Sequence, residues 1–171
     1  MYKSNERYLY IDLYLAGHHK LRVIVVYLQA NMTEKEERIT LQHEIIILIK
    51  NSNYEKFYTI IMGNFNTNLD RYNEKITNNS TINWKYNLID QLFLNNYVDL
   101  YDISNDTTHP TWFGPNNKSS RIDTIFSSSN FVSDFLYCGL QTPYLYNTDH
   151  KIVTAYFSDL HFTKESINRK W

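Results

Sequence analysis

Residues 58 to 66, Tyr58-Thr59-Ile60-Ile61-Met62-Gly63-Asn64-Phe65-Asn66, constrain the fold more than any other stretch. Alternating β-branched and aromatic residues are the composition of a buried strand, and the run stops at a glycine that can take backbone angles closed to other residues. The chain therefore turns at Gly63 and brings polar side chains out at a strand's carboxyl end. Asn64 and Asn66, two residues apart, point the same way if the extended geometry persists, and so form a pair offered to one ligand.

The surrounding chain supplies the partners that such a strand needs. Residues 7 to 14 alternate as a strand, residues 16 to 20 (Ala-Gly-His-His-Lys) read as a turn, and residues 21 to 28 form a second strand, together a β-hairpin. His18 and His19 sit at the tip of that turn as solvated side chains rather than metal ligands. Thr33-x-x-Glu36 has the pattern of a capping box, and residues through Lys50 carry Ile39, Gln42, Ile46 and Ile49 beside Leu41, Ile45 and Leu48 at helical spacing. A strand, a helix and the strand at Tyr58 then predict parallel strands with the helix across one sheet face.

Residues 68 to 83 are polar and read as a surface loop, and residues 85 to 94 as a second amphipathic helix. A short extended segment follows at residues 97 to 100. The aromatic run Thr111-Trp112-Phe113 lies in a long loop. Residues 121 to 126 alternate as a strand, residues 131 to 140 read as a helical turn and a strand, and residues 152 to 157 as a last strand after the polar turn Asn147-Thr148-Asp149-His150.

The 171 residues, 43% of them hydrophobic, suffice for one domain with a real core. The balance of 17 basic against 18 acidic residues gives no general attraction to nucleic acid, so binding of that kind requires a local patch. Cys138 is the single cysteine. It excludes an internal disulfide framework and thiolate metal clusters, and reads as a small core residue. No apolar run is long enough to cross a bilayer and the N-terminus is not signal-like, so a soluble, intracellular protein is expected.

Three polar clusters stand at strand ends: Gly63-Asn64-Phe65-Asn66, Arg121-Ile122-Asp123 and Thr148-Asp149-His150. In this order, with Tyr27 on the second strand, they resemble the endonuclease/exonuclease/phosphatase superfamily, and most nearly the apurinic-type endonucleases of LINE-type retrotransposons. The family's Gly-Asp-x-Asn is similar to residues 63 to 66, its Arg-Ile-Asp to residues 121 to 123, and its Ser-Asp-His to residues 148 to 150. The resemblance implies a four-layered α/β sandwich, two face-to-face mixed sheets flanked by helices, over residues 1 to 160, with a polar tail at residues 161 to 171. It implies Mg²⁺ (or Mn²⁺) dependent hydrolysis of a phosphodiester, with nucleic acid, DNA before RNA, as partner, in nucleus or cytoplasm and with no membrane.

The resemblance also assigns roles. Asp149 is the metal ligand, Asp123 and His150 form a pair with the imidazole on a phosphate oxygen, and Tyr27 and Asn66 donate hydrogen bonds to phosphate. The residue types fit this chemistry, since a carboxylate suits a hard cation and an Asp-held imidazole is suited to a phosphate oxygen. Two departures weaken it. Asn64 stands where the family has the aspartate that orients or deprotonates water; an amide accepts no proton at neutral pH, and general-base assistance is worth about 10² to 10⁴ in rate. The family's metal-binding Asn and Glu lie on strands before the first hairpin, so the chain is expected to be truncated at its N-terminus, with a bare sheet edge; Glu6 is not in a matching context. The expectation is therefore a degenerate, inactive nuclease-like domain. The alternative is a non-catalytic binding module that touches nucleic acid or protein through Arg121, Lys118 and Trp112.

Overall fold

The alternation in the first thirty residues does produce a hairpin: β2 (Tyr8–Tyr14) pairs antiparallel with β3 (Lys20–Tyr27). The computed structural model describes residues 2–4, 7–104, 109–145 and 147–158. Glu6 and the tail at residues 161 to 171 lie outside the described residues. A short β1 (Tyr2–Ser4) pairs with β2, and the helix α1 (Lys35–Tyr54) carries the chain over to β4 (Tyr58–Asn64), which runs parallel to β3. This is the predicted strand, helix, strand unit.

The start of α1 differs from expectation. Met32–Glu34 form a 3-10 turn, and the residue before the helix, Glu34, makes no side-chain cap bond. Thr33 lies inside that turn and so lacks the extended conformation an N-cap requires. The capping box of Thr33 and Glu36 therefore does not form.

Two helices escaped the reading of the sequence. Residues taken as a polar loop contain α2 (Leu69–Thr77), begun by Asn68, whose side chain accepts from the Arg71 N–H at 2.8 Å. Leu69 and Tyr72 are its buried residues. The amphipathic helix α3 (Asn87–Leu94) is as expected, but the extended β5 (Tyr97–Asp99) passes at once into α4 (Leu100–Ser104). The remaining strands are β6 (Trp112–Phe113), β7 (Ser119–Ser120), β8 (Asp123–Ser128), β9 (Phe135–Gln141) and β10 (Ile152–Phe157).

A six-stranded sheet in the order β1-β2-β3-β4-β8-β5 forms the centre, beside the antiparallel pairs β9–β10 and β6–β7. Alternation along β4 decides which layer each residue serves. Ile61 joins Ile24, Val26, Phe126 and the helix residues Ile45, Ile49 and Leu88 on one side. Ile60 and Met62 point the other way, toward Cys138, Val153 and Phe157 of the β9–β10 pair. Each fully buried aliphatic side chain contributes about 1.5–3 kcal/mol, so the helix layer and the smaller sheet are both held by burial. The described residues thus make a helix layer, a mixed sheet and a second sheet stacked face to face, an α/β sandwich. On the side away from the helices, β2 and β3 present Leu9, Ile11, Leu13 and Val25 to solvent.

Gly63 pairs with Val26 across β3 and β4 and lies against its backbone. Its φ is +133°, and a Cβ there would drive into the Val26 carbonyl oxygen. Both facts demand glycine. Gly63→Ala is expected to lower the free energy of unfolding by about 1–3 kcal/mol, measured by urea denaturation.

Candidate active site

Strand register alone assembles the first part of the site. Tyr27 is the register partner of Asn64 across β3–β4, and Asn64 is the partner of Asp123 across β4–β8. Three residues distant in sequence thus lie in one row at one end of the sheet.

Beyond Asn64 the chain leaves extended geometry. Asn66 has φ +44°, and its N–H donates to Asn64 Oδ1 at 2.7 Å. A backbone N–H only donates, so the atom facing it is the amide oxygen, and the Asn64 NH₂ group is left to face elsewhere. Asn66 Nδ2 in turn donates to the Leu28 carbonyl at 2.6 Å, which uses one of its two hydrogens. The two asparagines are therefore coupled through the turn and are not a parallel pair on a strand.

The turn is held from behind by Arg38, a residue that sequence reading passed over. Its guanidinium, 1% exposed, donates to the carbonyls of Gln29 and Phe65 and to the Thr67 hydroxyl. Burial pulls its pKa down to about 10. Its signal in the sequence is faint: a cation on the apolar face of a helix, in register with Leu41, Gln42 and Ile45.

The second part of the site is an Asp–His pair. His150 Nδ1 lies 2.8 Å from Asp123 Oδ2, and the same oxygen accepts from the Thr111 hydroxyl at 2.7 Å. An ionised carboxylate accepts only, so Nδ1 carries a hydrogen and Nε2 is the atom left for a ligand. Thr111 Oγ1 also accepts from the N–H groups of Ile122 and Asp123 at 3.1 and 3.0 Å. One buried hydroxyl thus fixes the carboxylate that orients the imidazole.

The hairpin β6–β7 ties the last cluster to the others. Lys151 N–H donates to the Thr111 carbonyl at 2.7 Å, Phe113 N–H to the Asp149 carbonyl at 2.8 Å, and Trp112 bridges to His150 as an isolated antiparallel pair. Trp112 Nε1 donates to Asp149 Oδ2 at 2.8 Å, while Asp149 Oδ1 is 3.9 Å from His150 Nε2.

These elements enclose a cleft of about 480 Å³ lined by Tyr27, Asn64, Asn66, Trp112 and His150, with Ala30, Asn68, Ser120 and Ile122. Asp123 stands behind His150, and Asp149 lies beside Trp112 at the rim. The Arg7 guanidinium lies 5.4 Å from the centre of the Tyr27 ring. Tyr27, Asn64, Asn66, Asp123, Asp149 and His150, all named from the sequence, meet at this one place.

Arg121 does not. It is fully buried, with Asp99 at 2.6 Å, Asp70 at 3.1 Å and Asp102 at 2.9 Å, and lies 5.6 Å from the centre of the Tyr101 ring. Burial lowers its pKa, but Asp99 and Asp102 outweigh that and raise it overall; burial and Asp99 push the Asp102 carboxyl up. The sequence reading of Arg121 as a nucleic-acid contact is corrected: its charge is spent on packing α2, β5 and α4 together. Cys138 is buried, with its thiol pushed up to about 12 by burial, in keeping with a core role.

The residues present do not make a divalent-cation site of the usual kind. Among the described residues no three His, Cys, Asp or Glu side chains are grouped to hold a metal. One oxygen of Asp123 serves His150 and Thr111, and one oxygen of Asp149 serves Trp112, whereas a hard cation seeks about six oxygen ligands. Among the described residues no helix is long and apolar enough to cross a membrane.

No protein-family profile matches the sequence. No curated protein matches it either. Solved structures do. The catalytic domain of Xenopus laevis APE2 superposes with a TM-score of 0.68 at 19% identity, over 89% of this chain and 55% of that one. The 3′ phosphatase NExo from Neisseria, bound to a product DNA hairpin, gives 0.64 at 17% identity, over 91% and 66%. The endonuclease domain of TRAS1, a telomere-specific non-LTR retrotransposon, gives 0.60 at 12% identity, over 88% and 63%. The chain has the α/β sandwich fold of the endonuclease/exonuclease/phosphatase superfamily. It spans roughly half to two thirds of the length of these neighbours.

Thr111→Val removes one donor and leaves two backbone N–H groups without their acceptor. It is expected to cost about 1–3 kcal/mol in urea denaturation, with Thr111→Ser recovering most of that loss.

Proposed function

We propose that this chain is a nuclease-fold domain whose cleft binds a phosphate of a nucleic-acid strand, DNA before RNA, and that as it stands it does not hydrolyse it. The observation that carries this reading is the orientation of Asn64: its oxygen is committed to the Asn66 N–H, so its NH₂ is what it can offer a ligand. An aspartate at this position would keep a second oxygen to accept a proton from water. Asparagine offers a donor instead.

The other groups at the cleft are of the same kind. The Tyr27 hydroxyl, the second hydrogen of the Asn66 NH₂, and the His150 ring when protonated all donate, and a phosphate oxygen is the ligand that such donors share. Asp123 holds the imidazole in one tautomer and one orientation. Trp112 gives the cleft an aromatic wall for a base or sugar, and Lys118, in the exposed turn between β6 and β7, adds charge toward a backbone. The likeness to NExo, solved with a product DNA hairpin, supports DNA as the strand. For hydrolysis, the resemblance implies a Mg²⁺ or Mn²⁺ ion, which would find Asp149 as its one carboxylate with a free oxygen at the rim.

Purified protein mixed with supercoiled plasmid and Mg²⁺ is expected to leave the plasmid intact while retaining a labelled oligonucleotide on a filter, less so as salt rises. Asn64→Asp, which sets a carboxylate against the phosphate, is expected to weaken retention by roughly tenfold or more. Nicking by the wild-type chain that disappears in Asp149→Ala would overturn the reading.

A further inference from the structure

Asp149 is the residue to which resemblance assigns a metal, and one oxygen of its carboxylate is already engaged. The indole N–H of Trp112 donates to Oδ2 at 2.8 Å, and the Phe113 N–H donates to the Asp149 backbone carbonyl at 2.8 Å. Trp112 is itself strand-paired with His150, so its backbone and its ring are both fixed against residues 149 and 150. Gly114 completes the arrangement: a Cβ at that position would run into the six-membered ring of the Trp112 indole. The ring lies across a residue that has no side chain.

The other carboxylate of the site is tied to its neighbours through a single oxygen. Asp123 Oδ2 holds both His150 and Thr111. A neutral donor on Oδ2 partly satisfies the Asp149 carboxylate with no counter-ion, so a cation gripping both oxygens competes with the indole, and one on Oδ1 alone meets a carboxylate already shared with a donor.

We propose that Trp112 competes with a divalent cation at Asp149: its indole N–H occupies one of the two carboxylate oxygens, Gly114 makes the room for it, and the site as built holds Mg²⁺ and Mn²⁺ less tightly than the same carboxylate would without the indole. The inference rests on reading the cleft as a phosphate site only in its choice of cation, and it is tested without phosphate.

The test is Mn²⁺ titration followed by the electron paramagnetic resonance of free Mn²⁺, on the whole chain. Trp112→Phe keeps an aromatic ring and removes the N–H; it is expected to bind Mn²⁺ about tenfold more tightly than wild type, and Trp112→Phe/Asp149→Asn to lose that gain. In a second measurement on the wild-type fold, the indole N–H resonance of Trp112 is expected to move upfield in Asp149→Asn. Equal Mn²⁺ affinity in wild type and Trp112→Phe, a gain that survives Asp149→Asn, or an indole resonance indifferent to Asp149→Asn would each overturn the proposal. Failure of the wild type to retain an oligonucleotide, with these results intact, would remove the phosphate reading and leave this one standing.

Discussion

The close approach of β3 and β4 at Gly63 is the constraint on which the cleft depends. Without a side chain at that position the two parallel strands can stay in register to their ends, and that register is what sets Tyr27 beside Asn64 and Asn64 beside Asp123. A displacement by one residue would send each of these side chains to the opposite sheet face. Helix α1 then locks the arrangement, because Arg38 reaches from its buried face to the carbonyls on which the Asn64–Asn66 turn is built.

A second set of contacts joins what the sheet does not. Asp123 and His150 are distant in sequence and lie on different sheets' ends, and the hairpin β6–β7 spans them. Thr111 grips the Asp123 side, Trp112 and Phe113 grip the Asp149 side, and Arg121 anchors the start of β8 through three aspartates from three other elements. Arg121 has no room to reach solvent. A buried polar network thus begins two residues before Asp123, and in such a network a partly satisfied member is costly.

Much of this was legible in advance. The hairpin, the parallel unit around α1, the helix α3 and the strands β8, β9 and β10 follow from periodicity, because each buries one face and alternates accordingly. The Asn64, Asp123 and His150 clusters stand at strand ends, but each alone is a weak signal; their order along the chain, and its resemblance to a known family's motifs, joined them into one site. The helix α2 was hidden by polar composition, although Asn68, Leu69 and Tyr72 hold its cap and its buried face. The false capping box shows the converse: Thr33 and Glu36 have the right spacing, but the chain is already turning at Met32. The role of Arg38 was invisible because carbonyls leave no mark in a sequence.

The sequence by itself determined which residues gather: apolar periodicity builds the layers, Gly63 admits the close pairing, and an asparagine at position 64 withholds a proton acceptor whatever surrounds it. Only the tertiary structure decided how the gathered groups are spent. Hydrogen-bond partners are chosen by distance and direction, not by order along a chain. For that reason Asn64 turns its oxygen to Asn66, Asp149 is taken by an indole from another hairpin, and Arg121 is consumed in the interior.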